Sequence, residues 1–209
     1  MGRTWFHLPY EDRKAVKILE LGCGSGSNLW MLKKEGFDVF GIDLSSEAVQ
    51  LSKEMLRHWG LSFSEEETVE HLSVQDMTKL FFPDGTFDTV LDIFSCFCLT
   101  KLGWDRCLSE TTRVLKRGGK FFSYTPSKRS DAFIKHEPTG MLDDSTLEGI
   151  KRENSPFYGN SYPFRFMSEE DLKKSVGHMF EITYLEKVGR TYRNGAEYFE
   201  FLVFELTKL

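Results

Sequence analysis

Glu20 is followed by three glycines at alternate positions, Gly22, Gly24 and Gly26, and a second acid, Asp43, arrives about 20 residues later. Glycines in a bend remove Cβ where the backbone takes unusual dihedrals, and they let a ligand approach the main chain closely. A carboxylate and bare amides that converge on one bend suit a ligand with a cationic head. Asp43 closes the apolar run Val39-Phe40-Gly41-Ile42, where its carboxylate can accept from ribose hydroxyls. The residue types and spacing therefore describe a pocket for a nucleoside cofactor.

Two cofactors compete for that pocket. The dinucleotide fingerprint, G-x-G-x-x-G, sets a pyrophosphate on a helix N-terminus. Here the spacing is G-x-G-x-G, with the third glycine one residue early, and Glu20 would sit badly beside a pyrophosphate. A sulfonium cofactor with an amino-acid tail has no phosphate and carries an ammonium that Glu20 can pair with.

The elements that position these residues alternate along the chain. Strands are expected at residues 17–21, 39–43, 69–74, 87–93 and 120–124. Helices are expected at 27–35, from Ser45-Ser46-Glu47 to about Trp59, and at 105–115, with Gly118-Gly119 ending the last. Alternating strand and helix signals imply a parallel sheet with helices on both faces. Residues 64–70, rich in glutamate, read as a polar connection, and Pro83-Asp84-Gly85-Thr86 as a turn. Residues 125–166 form a long stretch of Pro, Gly, Ser, Asp and aromatics with weak periodicity, which suggests a lid or substrate-binding insertion. Ser168-Glu169-Glu170-Asp171 begins a short helix with acids in its first turn, and residues 182–188 and 197–206 read as strands joined at Asn194-Gly195. One domain is expected over 1–209, with a cofactor-binding core at 16–124, the insertion at 125–166 and a closing helix and hairpin at 167–209.

Composition narrows the classes. The 209 residues are 40% hydrophobic and 28% charged, ordinary for a soluble globular chain. A net charge of -5 gives no basic footprint for a nucleic-acid backbone, so no nucleic-acid partner is expected. Four scattered cysteines, Cys23, Cys96, Cys98 and Cys107, read as small buried thiols of a reducing compartment, with no metal site expected of the C-x-C pair. No apolar window reaches the roughly 18 residues of a membrane span, and the first five residues hold no signal core. The expected location is cytoplasmic.

From Val16 to Phe122 the chain resembles the class I S-adenosylmethionine-dependent methyltransferases, and more specifically their small-molecule members. Glu20 with Gly22, Gly24 and Gly26 matches the family's E/D-x-G-x-G-x-G loop, which wraps the methionine part of the cofactor. Asp43 matches the acid that takes both ribose hydroxyls. Val74-Gln75-Asp76-Met77 matches the motif in which an Asp accepts from the adenine amino group and the next backbone group reads the ring. Residues 87–94 match the fourth strand, whose end, at Asp92, meets the methionine tail, and Arg113-Val114-Leu115-Lys116-Arg117-Gly118-Gly119 matches the R-V-L-K-x-G-G signature. Cys23, Asn28 and Leu44 complete the cofactor set the resemblance implies. It also implies a Rossmann-like, doubly wound α/β sheet of seven strands, mostly parallel, with an antiparallel C-terminal hairpin. The implied cofactor is S-adenosyl-L-methionine.

Methyl transfer from a sulfonium is an in-line displacement, for which the protein must align two molecules and exclude water. An oxygen acceptor of high pKa also needs a general base. The candidates are His136, then Tyr124 and Asp131, then His7; His58, His71 and His178 read as structural. Asp88 begins its strand at the end away from the pocket. Trp5, Phe6, Pro9 and Tyr10 read either as a cover over the cofactor or as an N-terminal segment packed on the sheet. Arg165 could take an anionic acceptor.

The Asn/Asp-Pro-Pro-Tyr/Phe motif of amino-methylating nucleic-acid enzymes is replaced by Asp92-Ile93-Phe94-Ser95, and the paired-glutamate loop of protein arginine methyltransferases is missing there. A small-molecule acceptor is therefore expected, with O-methylation of a sugar or related polar metabolite leading. Residues 27–37 are similar to methyltransferases of surface-sugar synthesis, whereas residues 166–172 are similar to the tellurite-resistance type. The alternatives are a detoxifying or macromolecular methyltransferase, and a cofactor-binding protein without transferase activity. Monomer and homodimer both remain open.

Overall fold

The computed structural model describes residues 5–61, 63–64 and 70–209. Its seven-stranded sheet runs in the order β3-β2-β1-β4-β5-β10-β9. The strands are β1 (Lys17–Leu21), β2 (Asp38–Asp43), β3 (Leu72–Val74), β4 (Phe87–Ile93), β5 (Leu115–Pro126), β9 (Phe180–Tyr192) and β10 (Glu197–Lys208). β1 to β5 pair in parallel, and β10 runs antiparallel to both β5 and β9. The chain builds outward from β1 to β3 and then returns to pair β4 with β1. That reversal leaves a crevice beyond the carboxyl ends of β1 and β4, where ligands gather in open α/β sheets.

Alternation along β1 feeds two cores. Ile18 packs with Leu29, Val39, Val49 and Leu56 under α1 (Ser27–Lys34) and α2 (Ser46–His58). Leu19 and Leu21 point the other way, to Trp104, Leu108 and Phe121. On that side lie α3 (Lys101–Val114) and α5 (Glu169–Val176), which bury Trp104, Leu108 and Leu172. Each fully buried Leu or Phe side chain contributes about 1.5–3 kcal/mol. Gly41 lets α1 and β2 close on each other, because a Cβ there would come within 2.5 Å of Leu29 Cδ1.

Local capping explains the helix starts. Ser45 Oγ accepts from Ala48 N–H at 3.1 Å before α2. Ser168 and Asp171 form a reciprocal capping box at α5. Before α3, Thr100 Oγ1 accepts from Gly103 N–H at 3.3 Å, so this helix begins at Lys101, four residues ahead of the expected Asp105. It stops at Val114 and β5 starts at once, so Gly118-Gly119 lies inside the strand rather than ending the helix.

Two other expectations shift. The strand expected at 69–74 is only Leu72–Val74, and most of the expected polar connection, residues 65–69, lies outside the described residues. The stretch 125–166 holds α4 (Asp131–Ile134) and a small antiparallel sheet of β6 (Met141–Asp143), β7 (Thr146–Leu147) and β8 (Phe164–Arg165). Its aromatics build a third core, in which Phe164 and Phe166 meet Phe199 and Phe201 of β10. The hairpin forms as expected but longer, with Arg193, Asn194 and Gly195 all at positive φ in its turn. Among the described residues no helix is long and apolar enough to cross a membrane.

Candidate active site

The glycine bend is shaped by its neighbours. Gly22 (φ 67°) faces Ser95, and a Cβ at Gly22 would fall on the Ser95 side chain, whose Oγ donates to the Leu21 carbonyl. Gly24 (φ 53°) opens onto free space, while its N–H donates to Asp43 Oδ2 at 3.0 Å and its carbonyl accepts from Ser52 Oγ at 2.8 Å. Gly26 (φ 82°) caps α1 without a side chain, so the helix's first amides are left for a ligand. Cys23 is 6% exposed, and burial pushes its thiol up to about 12, so it serves through packing and backbone.

Glu20 carries the decisive electrostatics. The side chain is 2% exposed. Asn28 Nδ2 donates to its Oε1 at 2.6 Å, while buried Oε2 has no partner among the described residues. Burial, with smaller help from Asp92 and Asp43 and against the Asn28 bond, pushes the carboxyl up to about 7. A buried acceptor left unsatisfied costs about 1–3 kcal/mol, more if charged. An ammonium would satisfy Oε2 and return Glu20 to its ionised form. The donor set thus fits the amino-acid tail of S-adenosylmethionine.

The nucleoside half follows along the same edge. Asp43 ends β2 and accepts from Gly24 N–H and Ser45 N–H, both at 3.0 Å. Each carboxylate oxygen has a second lone pair, so hydroxyl acceptance remains open. Beyond it Leu44 is 75% exposed, and Gln75 N–H donates to the Asp43 carbonyl, which places the end of β3 alongside. Asp76 Oδ1 accepts from Thr78 N–H and Oγ1, both at 2.8 Å. Half-buried Met77 sits next to it, its Sδ 3.6 Å from Cys96 Sγ.

Asp92 is engaged differently. It is 1% exposed, and its Oδ1 accepts from Ser95 N–H, Ser95 Oγ and Cys96 N–H, while Oδ2 accepts from Ser123 Oγ at 2.7 Å. The carboxylate therefore ties the turn after β4 to β5 and, through Ser95, to the glycine bend. Ser95 escapes sequence reading because its contact with Leu21 spans 74 positions.

Phe94 was read only as a strand end. It sits at φ 62°, which costs a bulky residue about 1–3 kcal/mol, so its direction is held by its surroundings. Its ring lies 5.1 Å from both Tyr124 and Phe201 and 6.0 Å from Phe97 and Phe157. Tyr124 stacks on Phe201 at 4.7 Å, and burial raises its phenol above the usual range. These rings make an aromatic wall at the carboxyl ends of β4 and β5, beside the bend.

The candidate bases scatter. His136 is half-buried, its ring neighbour is Phe133, and its Nδ1 lies 2.9 Å from the Thr139 carbonyl. A carbonyl only accepts, so Nδ1 carries the proton and Nε2 is the basic nitrogen of the neutral ring. Asp131 is spent on Tyr198 N–H and Lys135. Trp5 Nε1 donates to Thr89 Oγ1 near the amino end of β4, and Phe6 packs on Phe37. Trp5 and Phe6 are thus packed on the sheet at the end away from the crevice, with His7 next to them, rather than over the bend. Asp88 holds Lys17 N–H and Lys116 at the far end, as expected. His71 stacks between Phe40 and Phe63 and meets Asp38, a structural role. Cys98 is exposed, unlike the buried Cys96, because it faces outward from the turn.

A profile described as a methyltransferase domain matches residues 18–119, which span the bend, Asp43, Asp76, Asp92 and the R-V-L-K-x-G-G signature. Residues 18–119 thus form a methyltransferase domain, and the fold around them is that of the class I S-adenosylmethionine-dependent enzymes. Its fold is similar to an S-adenosylmethionine-dependent methyltransferase of Methanosarcina mazei, at 23% identity and TM-score 0.71, covering 92% of each chain. A Cereibacter sphaeroides phosphatidylethanolamine N-methyltransferase is 36% identical over 56% of this chain and 53% of its own length. A Schizosaccharomyces pombe tRNA N(3)-methylcytidine methyltransferase is 26% identical over 87% of this chain and 59% of its own. The chain therefore spans little more than half of either relative. Relatives with lipid and tRNA acceptors share the cofactor half, so the family alone names no acceptor.

Proposed function

We propose that this methyltransferase moves a methyl group from S-adenosylmethionine to an oxygen of a small polar ring compound, a sugar or related metabolite. The observation that carries this reading is the pairing of the orphaned Glu20 Oε2, open to an ammonium, with the aromatic wall of Phe94 and Tyr124 beside it. In this reading residues 16–124 hold the cofactor and 125–166 shape the acceptor site, with 167–209 closing the sheet. Glu20 takes the ammonium, Asp43 the ribose hydroxyls and Asp76 the adenine amino group. Cys23, Asn28, Leu44, Met77 and Asp92 shape or brace that groove.

The cofactor supplies an activated methyl group on sulfur. Phe94 and Tyr124 hold the acceptor ring flat against the wall and exclude water, and such alignment can be worth about 7–11 kcal/mol. With the cofactor held by Glu20, Asp43 and Asp76, displacement by the acceptor oxygen would leave the carbon–sulfur electron pair on sulfur. His136 Nε2 receives the hydroxyl proton, a step worth about 10²–10⁴-fold, while the Tyr124 phenol orients the acceptor oxygen by hydrogen bonding. Of the two, Tyr124 stands on the wall, and His136 needs the loop after α4 to approach it.

A tRNA acceptor is the second reading, favoured by the relative that aligns over most of the chain. The net charge of -5 argues against it. The free thiols suit a reducing, cytoplasmic setting. Assays of methyl transfer to sugars, sugar phosphates, phenols, tellurite and total tRNA discriminate these readings. Asp43→Ala should weaken S-adenosylmethionine binding by about 10- to 100-fold in calorimetry, the worth of charged hydrogen bonds. Unchanged affinity would remove Asp43 from the site, and turnover on tRNA alone would overturn the small-acceptor reading.

A further inference from the structure

Arg165 stands next to Phe164 in β8, and the two-residue alternation of a strand sends them to opposite sides. Phe164 joins the aromatic core, with Phe97 at 4.7 Å. Arg165 enters a different place, a cavity of about 70 Å³ between α3, β8 and α5, lined among others by Lys101, Trp104, Ser145, Asp171 and Lys174. This cavity shares no lining residue with the glycine bend or the aromatic wall.

The guanidinium lacks a direct counterion, and Asp92 and Asp143 act on it only from longer range. Arg165 is 2% exposed, lies 4.4 Å above the Trp104 ring, and its Nη2 makes only a long 3.5 Å bond to the Cys96 carbonyl. Among the described residues its Nε has no partner, and neither does the buried Trp104 Nε1. Among the described residues no carboxylate forms an ion pair with it. Asp171, the one acid in the lining, is turned to Ser168 and Lys128. Lys101 and Lys174 pair with Asp144 and Glu170. A buried charge left without a counterion is costly, and proteins pair such groups. A water takes about 30 Å³ of liquid volume, so the space matches two waters or one small oxyanion.

We propose that this cavity is a binding site for a small free oxyanion, of the phosphate or sulfate class, held by Arg165 with Trp104 Nε1 as a further donor and with the Ser145 hydroxyl turning to it from Asp144. An entering oxyanion would draw Lys101 and Lys174 from Asp144 and Glu170 at the cavity mouth. An acceptor-bound phosphate would have to reach the aromatic wall, which Arg165 faces away from, so the ion is not part of the methyl acceptor. Because Arg165 also touches the Cys96 carbonyl, an occupied site would steady the turn that carries Ser95 against Gly22.

The test titrates the purified protein with inorganic phosphate at fixed ionic strength, with chloride as the balancing anion. The expected result is a saturable rise in melting temperature and broadening of the ³¹P resonance, with affinity at least tenfold weaker in Arg165→Met. Where Arg165→Met does not fold, the Lys101→Ala/Lys174→Ala pair and Ser145→Ala should each weaken the same ³¹P signal. Glucose 6-phosphate should bind more weakly than inorganic phosphate. A phosphate effect equal to that of chloride, one that survives Arg165→Met, or tighter binding of the sugar ester would each overturn the proposal.

Discussion

A carboxylate that burial holds near neutrality makes Glu20 a reporter of its own ligand. Its folded value of about 7 lies above the ordinary 4.5, so the native state keeps a proton that the unfolded chain releases between those limits. Stability from this group is therefore greatest at low pH and falls as pH rises toward 7, by about 3 kcal/mol over 2.5 pH units. Glu20→Gln removes the burial of charge. Urea melts without cofactor should show the variant matching the parent at pH 5 and exceeding it at pH 8, and a gap constant with pH would sink the assignment. The same logic makes cofactor binding release a proton at pH 6 and almost none at pH 8, measurable by calorimetry in buffers of different ionisation heat. Glu20, Asp43 and the glycines were legible in sequence because their roles depend on short-range spacing. Ser95 and the left-handed Phe94 were not, since both are fixed by contacts far away along the chain.

At the level of elements, helix starts depend on single capping groups. The start of α5 was visible in Ser168-Glu169-Glu170-Asp171 through its first-turn acids, the capping box came from the structure, and Ser168→Ala is expected to cost about 1 kcal/mol in a urea melt, with no change in cofactor affinity. A loss below a few tenths would show that the tertiary packing of Leu172 and Val176 alone holds the helix. The earlier start of α3 was hidden because Gly103 reads as a break, whereas here it supplies the amide that Thr100 caps. In residues 125–166, strands of two or three residues carry no periodicity to read. The aromatics of that stretch signalled order but not partners, because Phe164 and Phe166 are placed by Phe199 on the distant β10.

For the whole molecule, alternation of strand and helix was enough to expect a parallel sheet, Asn194-Gly195 signalled the hairpin, and family resemblance gave its antiparallel place at the end of the sheet. That hairpin leaves β9 on the flank. Its 13 residues are mostly exposed, with Glu181, Glu186, Lys187 and Arg190 spread along it. An outermost strand offers its main chain to any stranger of like pattern, and charges blunt that invitation. Lys187 is tied to Glu169 and Glu186 to Tyr184, so the guard is anchored rather than loose. Replacing both with valine should make the protein sediment faster as its concentration climbs. Concentration-independent sedimentation would mean that twist, not charge, keeps this rim from zipping to its own kind.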